Sequence, residues 1–454
     1  LHYPLRRQRQ MCIRDRTGTH LAKLISQQEH HDVILMDEDP EKVDFAYDNS
    51  LEIMPIVGNP TSIRQLKHAG VEGADLFVAV TPSESANILT CMIAHRMGVK
   101  KTLARVSNYD YFLPEYLPYI NGLGVDEMVY PEALAAQEIY NGLRLPWTRQ
   151  YWRLFGGRLH LCASRITKHS PMLGKRLMEL SDLDEKHFHI ISIVRGRESF
   201  VPRGNDTLEA NDIVYVACNT QNLDTVREYC GQPKVDVRKV IIMGGSHIAL
   251  RTSELLPHDM SVKIIERDLD KCREISELTN DNTLVIHGDA ADSDLLISEG
   301  IRNTQAFLAL TGSSEINMIA TMNAKHLGIP RTVAEIENVD YLDIASQLGI
   351  GNIVNKKIIA ASKIIRHLHR IDISDAKTMA IGHGDVLEIV ITEGSSITKA
   401  PIKDLKIPRS ITLGGFLRDG EVYLVEGHTI LKPGDTVLVF NINASDSELD
   451  DLFK

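Results

Sequence analysis

A chain of 454 residues exceeds one ordinary domain and suggests three to four units of ~100–150 residues each. Its 43% hydrophobic and 24% charged content fits a soluble globular protein, and no run reaches the ~18–20 apolar residues of a membrane-crossing helix, so any membrane role is expected to be peripheral. A 6% aromatic share does not suggest a stacking surface, and a net charge of −11 makes the surface as a whole repel phosphate backbones while leaving room for local basic patches, so nucleic acid is not an expected partner.

Residues 1–16, LHYPLRRQRQMCIRDR, carry five arginines and no apolar core of a signal peptide. They do not read as a buried, β-branched strand either. We expect 1–16 to be an aberrant or non-native segment, a fragment end or an assembly artefact, with the first strand of the next domain missing or replaced.

From there the chain repeats itself at a constant offset of 230 residues. Gly58-Asn59 recurs as Gly288-Asp289, and AVTPSESAN (79–87) recurs as ALTGSSEIN (309–317). Within each copy, apolar runs at 32–37, 51–58 and 75–81, and at 261–266, 282–288 and 306–311, alternate with helical stretches around 62–69, 85–98 and 315–327. That alternation predicts an α/β fold, a doubly wound parallel sheet of Rossmann type. A helix follows each copy, at 131–143 and 356–370, and then short strands with turns at Asn211-Asp212 and Gly434-Asp435 predict a small α+β module.

The expected domains are a first Rossmann-like domain over 17–127, a linker helix over 128–150 and a first small module over 151–232. A second Rossmann-like domain over 236–354, a linker helix over 355–371 and a second small module over 372–454 follow.

In such a fold a glycine-rich turn joins the first strand to the first helix, where backbone N–H groups meet a pyrophosphate. The second copy offers VIIMGGSHIALRTSELL, with Gly244, Gly245, Ser246, His247 and Ile248 in the turn and Ala249 in the place of the last glycine. Ser246 gives up some of the close approach that glycine allows. Alone, this turn reads either as a binding loop or as a structural connection. Glu266 ends the next strand, where an acid accepts hydrogen bonds from ribose hydroxyls; the alternative is a solvated charge at a strand end. A carboxylate there repels a 2′-phosphate and favours NAD over NADP, although Arg267 lies next to it.

The first copy keeps Gly18, with Arg14–Arg16 in the place of the other glycines, and Asp37 at the end of its second strand. The second site is expected to be the more complete. Other candidates at strand ends are Asn59 and Asp289, Thr81 with Pro82, Thr311, Arg105 and Glu335. The threonines serve either a ligand or a helix cap, and Arg105 either a phosphate or an interface ion pair.

No catalytic set emerges. His30-His31, His187-x-His189 and His367-x-His369 lack partners at metal-site spacing and read as surface or interface residues. The six cysteines (Cys12, Cys91, Cys162, Cys218, Cys230, Cys272) form no C-x-x-C pair, which fits a reducing cytosol. Neither a metal nor an enzyme activity is expected.

The repeat (58–98 and 288–328), the SPMLGKRL and KPGD elements and the order of all four domains resemble the tandem RCK (KTN) family of Trk-type potassium uptake regulators. This resemblance implies binding of NAD(H) and adenine nucleotides such as ATP or ADP, a homotetrameric ring, and docking on a membrane potassium transporter from the cytoplasmic face. The alternatives are an RCK regulator of another cation channel or antiporter, and an NAD-dependent oxidoreductase.

Overall fold

The computed structural model describes residues 8–13, 18, 21–22, 25–26, 31–44, 53–120, 122–180, 188–196, 198–365, 373–378, 384–442 and 446–453. Two compact units make up the chain: Leu1–Pro131 with Lys357–Arg370 and Ser445–Ser447, and Glu132–Lys356 with Ile371–Ala444 and Glu448–Lys454.

In the first unit the described strands are β1 Gln8–Ile13, β2 His31–Asp37, β3 Ile53–Val57, β4 Leu76–Ala79, β5 Lys101–Arg105 and β6 Glu127–Val129. They form one parallel sheet in the order β3-β2-β1-β4-β5-β6, the doubly wound Rossmann order. The expectation of a missing first strand is corrected. Gln8–Ile13 lies between β2 and β4, with Cys12 in register with Leu35 and Val78. Ladder hydrogen bonds use backbone groups, so a segment without β-branched residues before its last position can still fill the place.

The second unit opens with a small module of β7 Gln150–Leu154, β8 Leu159–Arg165, β9 Phe188–Arg195, β10 Glu198–Phe200 and β11 Ile213–Asn219, in antiparallel order β10-β9-β11-β8-β7. The second Rossmann sheet follows: β12 Lys239–Met243, β13 Ser261–Glu266, β14 Thr283–His287, β15 Ala306–Ala309, β16 Arg331–Glu335 and β17 Asn352–Val354. Its order β14-β13-β12-β15-β16-β17 repeats the first sheet strand for strand. β18 Ile373–Thr378, β19 Asp385–Val390, β20 Ile411–Arg418, β21 Glu421–Leu424 and β22 Thr436–Asn441 make the last antiparallel sheet.

Parallel strands covered on both faces need continuous apolar runs. β4 and β15 are accordingly buried along their whole length. The helices that cover them, Glu84–Arg96 and Ser314–His326, start where the Oγ of Ser83 and of Ser313 accepts a backbone N–H three residues on. Gly98 and Gly328, just beyond their C-terminal ends, take left-handed φ values of 94° and 90°, which a side chain would resist.

The small modules repeat one ion-pair device. Asp212 receives two hydrogen bonds from Arg195 at 2.9 and 2.7 Å, and Asp435 receives two from Arg418 at 2.8 and 2.6 Å. Both acids are buried and also accept a backbone N–H within their own turn, so the forked pair ties the turn to a strand end. The two modules share a core in which Tyr215 meets Phe440 at 6.2 Å between ring centroids.

Candidate functional site

The carboxyl edge of the second Rossmann sheet gathers most of the second-copy candidates. β12 is followed by Gly244, whose φ of 93° favours glycine. A Cβ there would also lie 2.9 Å from Thr311 Cγ2, so the turn from β12 presses against the end of β15. At Gly245 a Cβ would collide with Ile275 and approach Glu266 Oε2 to 3.2 Å. Both glycines are thus needed for packing as well as for access.

The helix His247–Leu255 starts immediately after the turn. Ser246 caps it, its Oγ accepting from the Ala249 N–H at 3.3 Å. Ala249 is fully buried, which explains the small residue in the place of a glycine. Ile248 is buried as well and offers only its backbone, while His247 is exposed. The first N–H groups of a helix have no partner within it, so this end presents donors and a positive partial charge.

Glu266 lies against the turn. Its Oε2 accepts the Gly245 N–H at 2.7 Å and its Oε1 the Asp268 N–H at 3.0 Å, with Lys271 Nζ 3.8 Å away. Burial would raise its pKa, but the backbone donors of Asp268 and Gly245 and the charge of Lys271 outweigh it, and the carboxyl sits below its usual range. An ionised acceptor therefore stands beside the helix N-terminus. Arg267 is exposed and reaches 4.0 Å from Asp289, whose Oδ1 accepts the Ala291 N–H at 2.9 Å.

Thr311 is held by a residue absent from the sequence-based candidates, Asn317. The Asn317 amide oxygen accepts from Thr311 N at 3.0 Å and Thr311 Oγ1 at 2.6 Å, and its Nδ2 donates to the carbonyls of Thr311 and Glu335, both at 2.9 Å. Asn317 is fully buried. Glu335 contributes that carbonyl, whereas its carboxylate pairs with Lys356 at 3.1 Å.

The first unit repeats this arrangement. Asn87 Oδ1 accepts from Thr81 N at 2.8 Å and Oγ1 at 2.7 Å, and its Nδ2 reaches the carbonyls of Thr81 and Arg105 at 2.9 Å. The missed pair was visible as the shared final Asn of AVTPSESAN and ALTGSSEIN. Asp37 is buried and accepts the Asp39 N–H at 2.9 Å, as Glu266 accepts that of Asp268. Asn59 Oδ1 accepts from Thr61 N at 2.8 Å and Oγ1 at 2.6 Å, which closes the turn before the helix Ile63–His68. Pro82 is exposed, Arg105 is half-buried and Gly18 is buried. Arg14 and Arg16 lie outside the described residues, as do His30, His187, His367 and His369.

Among the described residues no group of three or more His, Cys, Asp or Glu is placed to hold a metal ion, and no helix is long and apolar enough to cross a membrane.

The family described as TrkA-N domain matches residues 14–131 and 240–356, and that described as TrkA-C domain matches residues 162–231 and 386–451. The Trk system potassium uptake protein TrkA of Halomonas elongata is 28% identical over 429 residues, covering 93% of this chain and 92% of its own. The TrkA homolog of Archaeoglobus fulgidus is 28% identical over 443 residues, covering 96% and 98%. Among solved structures, the RCK domain of GsuK matches with a TM-score of 0.61 at 16% identity, over 99% of this chain and 95% of that one. The GsuK channel bound to NAD gives 0.61 at 15% identity, over 100% and 80%. These structural likenesses show the fold.

Proposed function

Since the chain belongs to the TrkA family, with TrkA-N and TrkA-C domains each present twice, we propose that it is a nucleotide-sensing regulatory subunit that docks from the cytosol on a membrane potassium transporter. On this reading 17–127 and 236–354 are the sensing domains, and 151–232 and 372–454 are the modules through which a ring, a homotetramer, is built. The ligand is NAD or NADH, with ATP and ADP as competitors for the same crevice.

One observation carries this reading: the Gly245 N–H meets the Glu266 carboxylate at 2.7 Å beside the open start of a helix. The turn supplies backbone donors for a pyrophosphate, and Glu266 supplies acceptors for ribose hydroxyls. Asp37 provides the same acceptor in the first crevice. The NAD seen on the GsuK channel supports the assignment by analogy of fold.

The mechanism is conformational. A nucleotide that prefers one of two ring shapes shifts their populations, and the transporter bound to the ring follows. No bond is broken, in keeping with relatives that are potassium uptake proteins by name. Linkage then requires transporter docking to change nucleotide affinity by the factor through which nucleotide changes docking.

Calorimetric titration of the full chain with NAD, NADH, ATP and ADP tests the proposal. We expect saturable binding, tighter at the second crevice. Absence of heat with all four nucleotides, or turnover of any of them, would overturn it.

A further inference from the structure

Arg331 begins β16 at the amino edge of the second Rossmann sheet, opposite the glycine turn. It is 4% exposed. Its Nη1 donates to the Pro146 carbonyl at 3.1 Å, to Asn352 Oδ1 at 2.7 Å and to the Thr148 carbonyl, and its Nε has no hydrogen-bond partner. Gly142 makes room for it, because a Cβ there would stand 2.6 Å from Nη2.

Arg149 lies near this guanidinium, and Arg165 and Lys325 lie near Arg149 in turn. Arg149 precedes β7, is half-buried, and donates to the Gly351 carbonyl at 3.4 Å. Arg165 ends β8, and its buried Nε also has no partner. Lys325, in the last turn of Ser314–His326 and exposed to solvent, donates to the Gly349 carbonyl. The four therefore range from Arg331, buried in the interior, to Lys325, exposed at the surface.

Among the described residues none of the four pairs with a carboxylate. Each instead feels burial, the other cations, or both. Burial first, then Arg165, pushes the pKa of Arg149 down to about 10; burial first, then Arg149, pushes that of Arg331 down to about 9. Lys325 is lowered by burial and then by Arg149 and Arg165. The three arginines stay charged at neutral pH.

Carbonyl acceptors satisfy individual N–H groups, but they do not neutralise four positive charges. Buried charges in proteins are paired with an opposite charge. A chain of net charge −11 has acids to spare, yet among the described residues none pairs with these cations. Arg331, the buried member, thus has no counter-charge among the described residues.

We propose that Arg149, Arg165, Lys325 and Arg331 form an anion site, separate from the nucleotide crevice, that takes a phosphate group. The ligand is inorganic phosphate or pyrophosphate, or the phosphate of a small metabolite. Arg165 belongs to the first small module, Arg149 stands just before its first strand, and Lys325 and Arg331 belong to the second Rossmann domain. A bound oxyanion would therefore clamp these two parts of the second unit together and give it a second input besides nucleotide.

The test is calorimetry on the full chain saturated with NAD, at constant ionic strength, with inorganic phosphate, pyrophosphate and glycerol 3-phosphate as separate probes. We expect saturable binding of at least one probe, weakened at least tenfold by Arg165→Gln and by Lys325→Gln. Because Lys325 is exposed, its variant keeps the test valid if replacing an arginine impairs folding. The relative strength of the three probes distinguishes free phosphate from an esterified one. The proposal is overturned if no probe saturates, or if either variant binds as tightly as the wild type. It is equally overturned if Lys325→Gln changes only the oligomeric mass, which would mean that an acidic group of another copy fills the site.

Discussion

Asn87 and Asn317 hold Thr81 and Thr311 by the same four hydrogen bonds, yet the strand each asparagine reaches ends in Arg105 in one copy and Glu335 in the other. Around that shared device the two crevices diverge. Asp37 stands where Glu266 stands, Asn59 where Asp289 stands, and Pro82 where Gly312 stands. The buried amide sets the position of the strand ends, and the residues around it set the charge offered to a ligand. A duplicated fold can thus keep its geometry while its two sites acquire different chemistry.

The largest expected effect strikes what the copies share. Asn317→Ala would leave the Thr311 N–H and the Glu335 carbonyl without partners in a buried place, at about 1–3 kcal/mol for each group. Hydrogen exchange should show β16 losing protection on that scale, and Asn87→Ala should do the same to β5. A loss below ~1 kcal/mol would mean that water replaces the amide, and the device would not be what fixes the strand ends.

Gly245→Ala sharpens the difference between the copies. The added Cβ collides with Ile275 and crowds Glu266, so NAD affinity at the second crevice should fall about a hundredfold, ~2.7 kcal/mol. Binding at the first crevice should be untouched. Equal loss at both would show that the crevices are not independent.

A smaller change follows from Glu266→Gln. Charge-assisted hydrogen bonds to the ribose are worth about 1.5–3 kcal/mol, so NAD should weaken roughly tenfold or more while NADP, no longer repelled, loses less. Asp37→Asn should leave the tighter site unaltered. If NAD and NADP weaken equally in Glu266→Gln, the carboxylate is not what reads the 2′ position.

Much of this was legible in the sequence, because the doubled pattern of apolar runs reports burial on both faces of a parallel sheet. Spacing alone put Glu266 at the end of the strand after the glycine turn, but it did not show that its carboxylate would accept the Gly245 N–H. β1 was not legible. QRQMCI contains no β-branched residue before Ile13, and its place between β2 and β4 depends on backbone hydrogen bonds that leave no trace in side chains. Asn317 was passed over because a buried amide resembles any polar residue on a helix until its four partners are known. Glu335 was read as a crevice acid, but the sequence could not show that Lys356, 21 positions later, would take up its carboxylate.

That carboxylate gives the subtlest contrast between the copies, since the first has a cation in its place. Glu335 faces Lys356 at 3.1 Å, and Lys356 also meets Glu337 at 2.5 Å, with Glu132 nearby. Burial raises the Glu335 pKa, Lys356 opposes that, and Glu337 and Glu132 reinforce it; Lys356 in turn is raised because the three acids outweigh its own burial. Between the ordinary carboxyl pKa and the raised folded value, the folded chain holds a proton that the unfolded chain has released. Stability therefore falls as pH rises through that window. Glu335→Gln, which cannot titrate, should flatten the slope. Urea unfolding should show the variant gaining on the wild type from pH 4.5 upward, by about 1.4 kcal/mol per pH unit across that window. Parallel slopes for the two proteins would mean that Lys356 offsets the burial of Glu335 in full and that the charge at this strand end does not tune the second unit.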